Sequence, residues 1–248
     1  MLRQIQKSVY LFLAKYKIFY PLLFRILIKK GYLEEDFDKI IKRYSNKNKN
    51  LFFIQIGAND GMKFDPTYLY AKKYRWKGIL VEPVDYVFGK LKNNYRGFNG
   101  LIFENVAIGE KNGFKKFYML KKSEGEDIPL WYDEIGSFFK ENVIKHRDRI
   151  KDLDKRLITK KIKVLTLKSL LGRHKVNRID FLQIDTEGYD YHILKQIPFD
   201  KIKPSMIVFE DRHLPKNQKE YCQRLLIDNG YTIVRGLDCF AYLRSRQP

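Results

Sequence analysis

The chain has 248 residues, 44% of them hydrophobic, and a formal charge of +20 from 49 Lys and Arg against 29 Asp and Glu. That length allows one large domain, or one domain with a terminal extension, and the apolar share excludes a disordered chain. The charge attracts nucleic acid, an acidic membrane face or a phosphorylated substrate without choosing among them. Cys222 and Cys239 have neither metal-ligand spacing nor a framework pattern, so two thiols in a reducing compartment are expected.

Residues 1–32 are rich in apolar side chains but broken by Lys15, Lys17 and Arg25. The charge-free stretches, residues 8–14 and 18–24, are too short to span a bilayer. No small-residue cleavage site follows an uninterrupted apolar core, so no secretory signal is read and a cytoplasmic location is expected. Pro21 divides the segment into two basic helices. These either pack on the core or on a second subunit, the preferred account, or lie peripherally on an anionic membrane surface. The polar run of residues 45–50 reads as a connection. It separates a basic helical extension, residues 1–46, from the main domain, residues 47–248.

From there strand and helix signals alternate, which predicts a doubly wound, mostly parallel α/β sheet. The short apolar runs at residues 51–56 (LFFIQI) and 78–81 (GILV) are those of strands buried on both faces. Helices are predicted at residues 66–74 and 86–94, and a strand near residues 101–107. Strands at residues 179–184 and Met206–Phe209 enclose a helix at residues 189–196. A helix at residues 217–229 and strands at 231–234 and Cys239–Leu243 close the chain. Residues 110–163 interrupt this rhythm with a hairpin opened by Lys111-Asn112-Gly113 and a long polar, aromatic stretch. An insertion leaving a sheet of this kind is expected to cover the substrate.

The first strand ends in Gly57-Ala58-Asn59-Asp60-Gly61. Glycine permits positive φ and close backbone approach to a ligand, and the following helix start offers amide donors to an anion. The turn lacks the central glycine of the dinucleotide fingerprint. A ligand without a pyrophosphate is therefore favoured, which weakens a nicotinamide oxidoreductase. Glu82, ending the second strand, stands where a carboxylate accepts bonds from ribose hydroxyls, although a surface glutamate is the plainer alternative. Two later strand ends carry Asp185-Thr186-Glu187-Gly188-Tyr189 and Glu210-Asp211-Arg212-His213. Adjacent strands would bring Asp185 and Glu210 together. Two such carboxylates must bind a cation, share a proton, or accept bonds from a ligand.

The segments LFFIQIGANDG, Val81-Glu82-Pro83, Asn105-Val106-Ala107-Ile108-Gly109, IDFLQIDTEGYD and Ile207–Glu210 stand in the order and spacing of the FkbM-type family of S-adenosylmethionine-dependent methyltransferases. The resemblance covers residues 51–214. Gly136-Ser137-Phe138, followed by His146, resembles one branch of that family. It implies a Rossmann-like class I methyltransferase with a seven-stranded sheet. Gly57, Ala58, Asn59, Asp60 and Gly61 would line the methionine end of the cofactor, Glu82 would hold the ribose, and Asn105 to Ala107 would lie beside the adenine. Gln55 departs from the acidic residue common at its position.

Methyl transfer from a sulfonium is an in-line displacement that needs a positioned, deprotonated nucleophile. Asp185 is the candidate nearest the methyl, as general base or as ligand of a divalent cation such as Mg2+, with Glu210 as its partner. His213 is the alternative base, or simply a solvated loop histidine. Glu187 reads as a turn-stabilising or substrate-contacting residue, and Tyr189 as core. The resemblance implies a hydroxyl acceptor, most directly a sugar of a glycan. RNA and natural products are alternatives, as is a non-catalytic nucleoside-binding role. Nucleic acid is less favoured, because Asp185-Thr186-Glu187-Gly188 is not the type of motif that holds a flipped base. A homo-oligomer is compatible with the sequence.

Overall fold

The computed structural model describes residues 35–63, 65, 67–123, 128–129, 131–236 and 238–243. The predicted helices of residues 1–32, with their membrane or subunit contact, lie outside them. Helix α1 (Glu35–Lys47) leads into β1 (Phe52–Ile56), α2 (Thr67–Tyr74), β2 (Lys77–Val81), α3 (Asp85–Asn94) and β3 (Leu101–Glu104). After the insertion come α6 (Leu167–Arg173), β7 (Phe181–Ile184), α7 (Asp190–Leu194), β8 (Met206–Phe209), α8 (Lys216–Asp228), β9 (Tyr231–Arg235) and β10 (Cys239–Leu243).

These strands form one seven-stranded sheet in the order β3-β2-β1-β7-β8-β10-β9. Its pairs are parallel except those of β10 with β8 and β9. Side chains alternate across a strand, so each central strand feeds two cores. Ile54, Ile56, Ile79, Val81, Leu182 and Ile207 face Leu167, Leu170, Ile193, Leu194 and Leu226 of α6, α7 and α8. Phe53, Leu80, Phe181 and Met206 face Ile41, Tyr70, Ala71 and Leu91 of α1, α2 and α3. The result is the predicted doubly wound sheet between two helical layers. Cys222 and Cys239 are buried thiols in α8 and β10. Among the described residues no helix is long and apolar enough to cross a membrane.

Three expectations change in detail. The polar run read as a connection is helical as far as Lys47, and Phe37, Ile41 and Tyr44 of α1 belong to the core of the sheet. The strand predicted at residues 101–107 breaks at Asn105. Its end becomes β4 (Ala107–Ile108) in a second sheet of order β4-β6-β5, with β5 at Gly113–Leu120 and β6 at Leu157–Leu165. The predicted hairpin is therefore opened by β6, which pairs parallel with β4 and antiparallel with β5. Between β5 and β6 lie α4 (Lys140–Ile144) and α5 (Leu153–Arg156). They share a core of their own with Leu120, Tyr132, Ile135, Val143, Ile150 and Leu153.

Candidate active site

Chain order runs outward from β1 to β3, then returns to the centre and runs the other way from β7. The switch point is therefore between β1 and β7, and α/β sheets of this kind place ligands at the strand exits there. The turn after β1 holds Gly57, Asn59 and Gly61 at φ of +78°, +47° and +68°. A Cβ on Gly57 would fall 1.7 Å from the Asp185 carbonyl oxygen, and one on Gly61 would fall 2.4 Å from Leu91 Cδ1. Both glycines thus answer to β7 and α3 pressing against the turn. The close approach expected of a ligand is made here by the protein itself.

Glu82 is buried at the exit of β2, where its carboxylate accepts the amides of Asn59 (2.9 Å) and Val84 (2.8 Å). It ties the turn after β1 to the start of α3. Burial pushes its carboxyl up to about 7, against the two amide bonds. Asn105 donates to the Glu82 carbonyl oxygen (2.9 Å), so both predicted nucleoside contacts stand at the same exit. Ala107 is buried in β4. Ala58 is buried, and Asp60 turns into its own loop, where Oδ1 accepts the amides of Met62 and Lys63. Gln55 donates to Asp65 (2.9 Å), a buried carboxylate that also accepts the Thr67 amide at the start of α2. Burial raises the Asp65 carboxyl to about 6. Sequence reading missed Asp65, although Asp-Pro-Thr opening a helix is a capping pattern.

At the exits of β7 and β8 the predicted carboxylates do converge. Asp185 follows β7 and keeps solvent-accessible surface although protein surrounds its carboxyl. That desolvation, followed by the charges of Glu210, Glu187 and Asp190, raises its carboxyl well above the usual range. Glu210 is 3% exposed, and one of its oxygens accepts a bond from Arg212. Asp190, unremarked in the sequence, is fully buried and locks the two exits together by accepting the Thr186 hydroxyl (2.9 Å) and the Glu210 amide (3.3 Å). His213 sits 3.5 Å from Glu210 and 3.4 Å from Glu187. Burial, aided by Lys145 and Arg212 and opposed by Glu210, holds its imidazole below the usual value. Burial and Glu210 raise Glu187 to about 7. Tyr189 is core, packed edge-on against Phe138 and stacked on His192.

The insertion completes this end. Glu187 and Gly188 have φ of +51° and +95°, a left-handed conformation that is strained for Glu187 to hold unaided. Ser137 and Asn142 both donate to the Glu187 carbonyl oxygen (2.9 and 2.6 Å). A Cβ on Gly188 would meet Asn142 Nδ2 at 2.4 Å. Lys145 Nζ reaches His213 Nδ1 at 2.9 Å and Glu187 at 3.6 Å. His146 packs beside Trp131, and burial lowers its imidazole to about 4. Among the described residues, one group presents three ligand atoms close enough for a metal: Glu187, Glu210 and His213, all within 4.8 Å of one another. Of the expected pair Asp185 and Glu210, only Glu210 belongs to it.

The strand order and the carboxylates at the switch point define a Rossmann-like fold of the class I methyltransferase type. The model of the FkbM methyltransferase domain matches residues 55–233. The chain belongs to that family of methyltransferases. No curated protein matches the sequence significantly. Among solved structures, methyltransferase FkbM from Methylobacillus flagellatus aligns at 15% identity and a TM-score of 0.47, over 78% of this chain and 44% of the other. The chain thus spans less than half the length of that relative. The N-terminal domain of human METTL16 in complex with SAH aligns at 14% identity and a TM-score of 0.42, over 84% and 68%. A precorrin-6y C5,15-methyltransferase from Geobacter metallireducens aligns at 11% identity and 0.41, over 86% and 91%.

Proposed function

We propose that the chain binds S-adenosylmethionine at the exits of β1, β2 and β7 and transfers its methyl group to a hydroxyl, most directly that of a sugar. The observation that carries the reading is the row of carboxylates at these exits and at the neighbouring exit of β8, Glu82, Asp185, Glu187 and Glu210, inside a protein of net charge +20. A cleft of that sign in a basic protein suits a ligand that is itself cationic, and the cofactor carries both a sulfonium and an ammonium. Burial raises these carboxyls, the like charges around Asp185 and Glu187 add to it, and an arriving cation favours their charged form. Sulfonium binding therefore releases protons and leaves carboxylates in the basic form.

In the transfer, the acceptor oxygen forms a bond to the methyl carbon as the carbon–sulfur bond breaks, and the sulfonium becomes a neutral thioether. The acceptor proton passes to a carboxylate at the β7 exit, with Asp185 the assigned base. Glu82 takes the ribose hydroxyls through lone pairs left beside its two amide bonds. Phe139, 37% exposed beside Tyr189, offers an apolar ring to the carbohydrate face of an acceptor. Transfer of a labelled methyl group to deoxysugars and glycan fragments tests the reading. Asp185→Asn is expected to lower turnover by about 10²–10⁴-fold, far more than it weakens cofactor binding. Undiminished turnover in that variant would remove Asp185 from the chemistry. Methylation of RNA alone would replace the acceptor class.

A further inference from the structure

The side chains that close the exits of β7 and β8 meet in a geometry that hydrogen bonding does not explain. His213 Nε2 stands 3.4 Å from Glu187 Oε2 and 3.5 Å from Glu210 Oε2. A good N–H···O bond spans about 2.7–3.2 Å. Ligand atoms placed about 2.0–2.2 Å from one ion stand roughly 3.0–3.6 Å from their neighbours. Both carboxylate oxygens are buried and accept no hydrogen bond among the described residues. Glu210 has only 3% of its surface exposed, so an unpartnered oxygen there is costly without a cation in front of it.

We propose that Glu187, Glu210 and His213 bind one divalent cation of the Mn2+ or Zn2+ kind, two carboxylate oxygens and an imidazole nitrogen suiting such an ion. Three protein ligands leave coordination positions open toward the cleft. If methyl transfer to a hydroxyl is the reaction, an open position receives the acceptor oxygen and eases loss of its proton.

Lys145 is the competitor. Its ammonium, on a side chain 30% exposed, lies 2.9 Å from His213 Nδ1 and 3.6 Å from Glu187 Oε2. An ammonium facing Nδ1 makes that nitrogen the acceptor and leaves the hydrogen on Nε2. A metal needs Nε2 bare, so the ion and Lys145 exclude each other and Lys145 swings outward when the ion binds. Arg212 stays on the other oxygen of Glu210.

The test uses the full-length chain, stripped with a chelator and titrated with Mn2+ while the paramagnetic resonance of the free ion is followed. Zn2+ is titrated in parallel by calorimetry. No cofactor or acceptor is present, so the outcome is independent of the methyltransferase reading. One ion per chain is expected, bound at least tenfold more weakly by Glu210→Gln and by His213→Ala, and several-fold more tightly by Lys145→Ala. Absence of stoichiometric binding by the wild type would overturn the site. So would wild-type affinity in a Glu210→Gln protein whose circular dichroism and melting show it folded.

Discussion

The two ends of the central sheet each bury carboxylates, under opposite circumstances. At the strand entrances Asp180, 3% exposed, accepts the Phe52 amide (2.8 Å), lies 2.9 Å from the Tyr44 hydroxyl and pairs with Arg178 at 3.1 Å. The same hydroxyl reaches Ser205 at 2.9 Å, so α1, β1, β7 and β8 are pinned by one network. At the strand exits Glu187 and Glu210 each keep an oxygen without a hydrogen bond. There the carboxyls of Asp185 and Glu187 are pushed up by burial and then by the charge of Glu210, and Asn59 and Glu187 adopt left-handed backbone conformations. One end uses its charge to hold the fold. The other ties Glu82 and Asp190 into the fold but leaves an oxygen of Glu187 and one of Glu210 without a hydrogen bond.

Removing Asp180 and removing Glu210 should therefore change stability in opposite directions. Asp180→Ala leaves the Phe52 amide and Arg178 without their partner, and is expected to lower unfolding stability by about 3 kcal/mol. Urea denaturation measures this, and a loss near zero would dissolve the contrast. Glu210→Gln removes one of several like charges, and metal-free protein carrying it should melt at or above the wild-type temperature while losing methyl transfer. Melting well below wild type would mean that the exit carboxylates also hold the fold. Asn142→Ala removes one of two donors to the Glu187 carbonyl and should cost about 1 kcal/mol, with turnover falling and cofactor affinity unchanged. Equal losses in both kinetic terms would place the insertion in cofactor binding instead.

The dependence on pH gives a separate test. Glu82 in the folded chain has its carboxyl at about 7, above the ordinary glutamate value. Its contribution to stability is therefore fully present below that ordinary value and is lost as pH rises through about 7. Glu82→Gln should accordingly match wild type near pH 4 and be the more stable of the two at pH 8. Comparing the two proteins cancels His146, whose lowered imidazole acts in the other direction as pH falls. Parallel melting curves across that range would show that Glu82 does not bury a charge.

The central strands were legible because the apolar runs of β1, β2, β7 and β8 are short and buried on both faces, a pattern that needs no partner to be recognised. The exit residues Glu82, Asp185, Glu210 and His213 were legible because each follows such a run. The small sheet was not, since β6 reads LITKKIKVL and its lysines mask the alternation of Ile162 and Val164. Ser137, Asn142 and Lys145 act 45 to 68 residues away in sequence, on a turn they do not adjoin. No local pattern marks them. Gly57 and Gly61 were visible as turn residues, yet what each one touches, Asp185 and Leu91, depends on tertiary packing.

Calorimetric titration of the wild type and Glu82→Ala with S-adenosylhomocysteine tests the central claim, that the strand exits form a nucleoside cleft. Micromolar binding by the wild type, weakened at least tenfold in a variant that still folds, is the expected result. Wild-type affinity in Glu82→Ala, or no binding by either protein, would contradict the account.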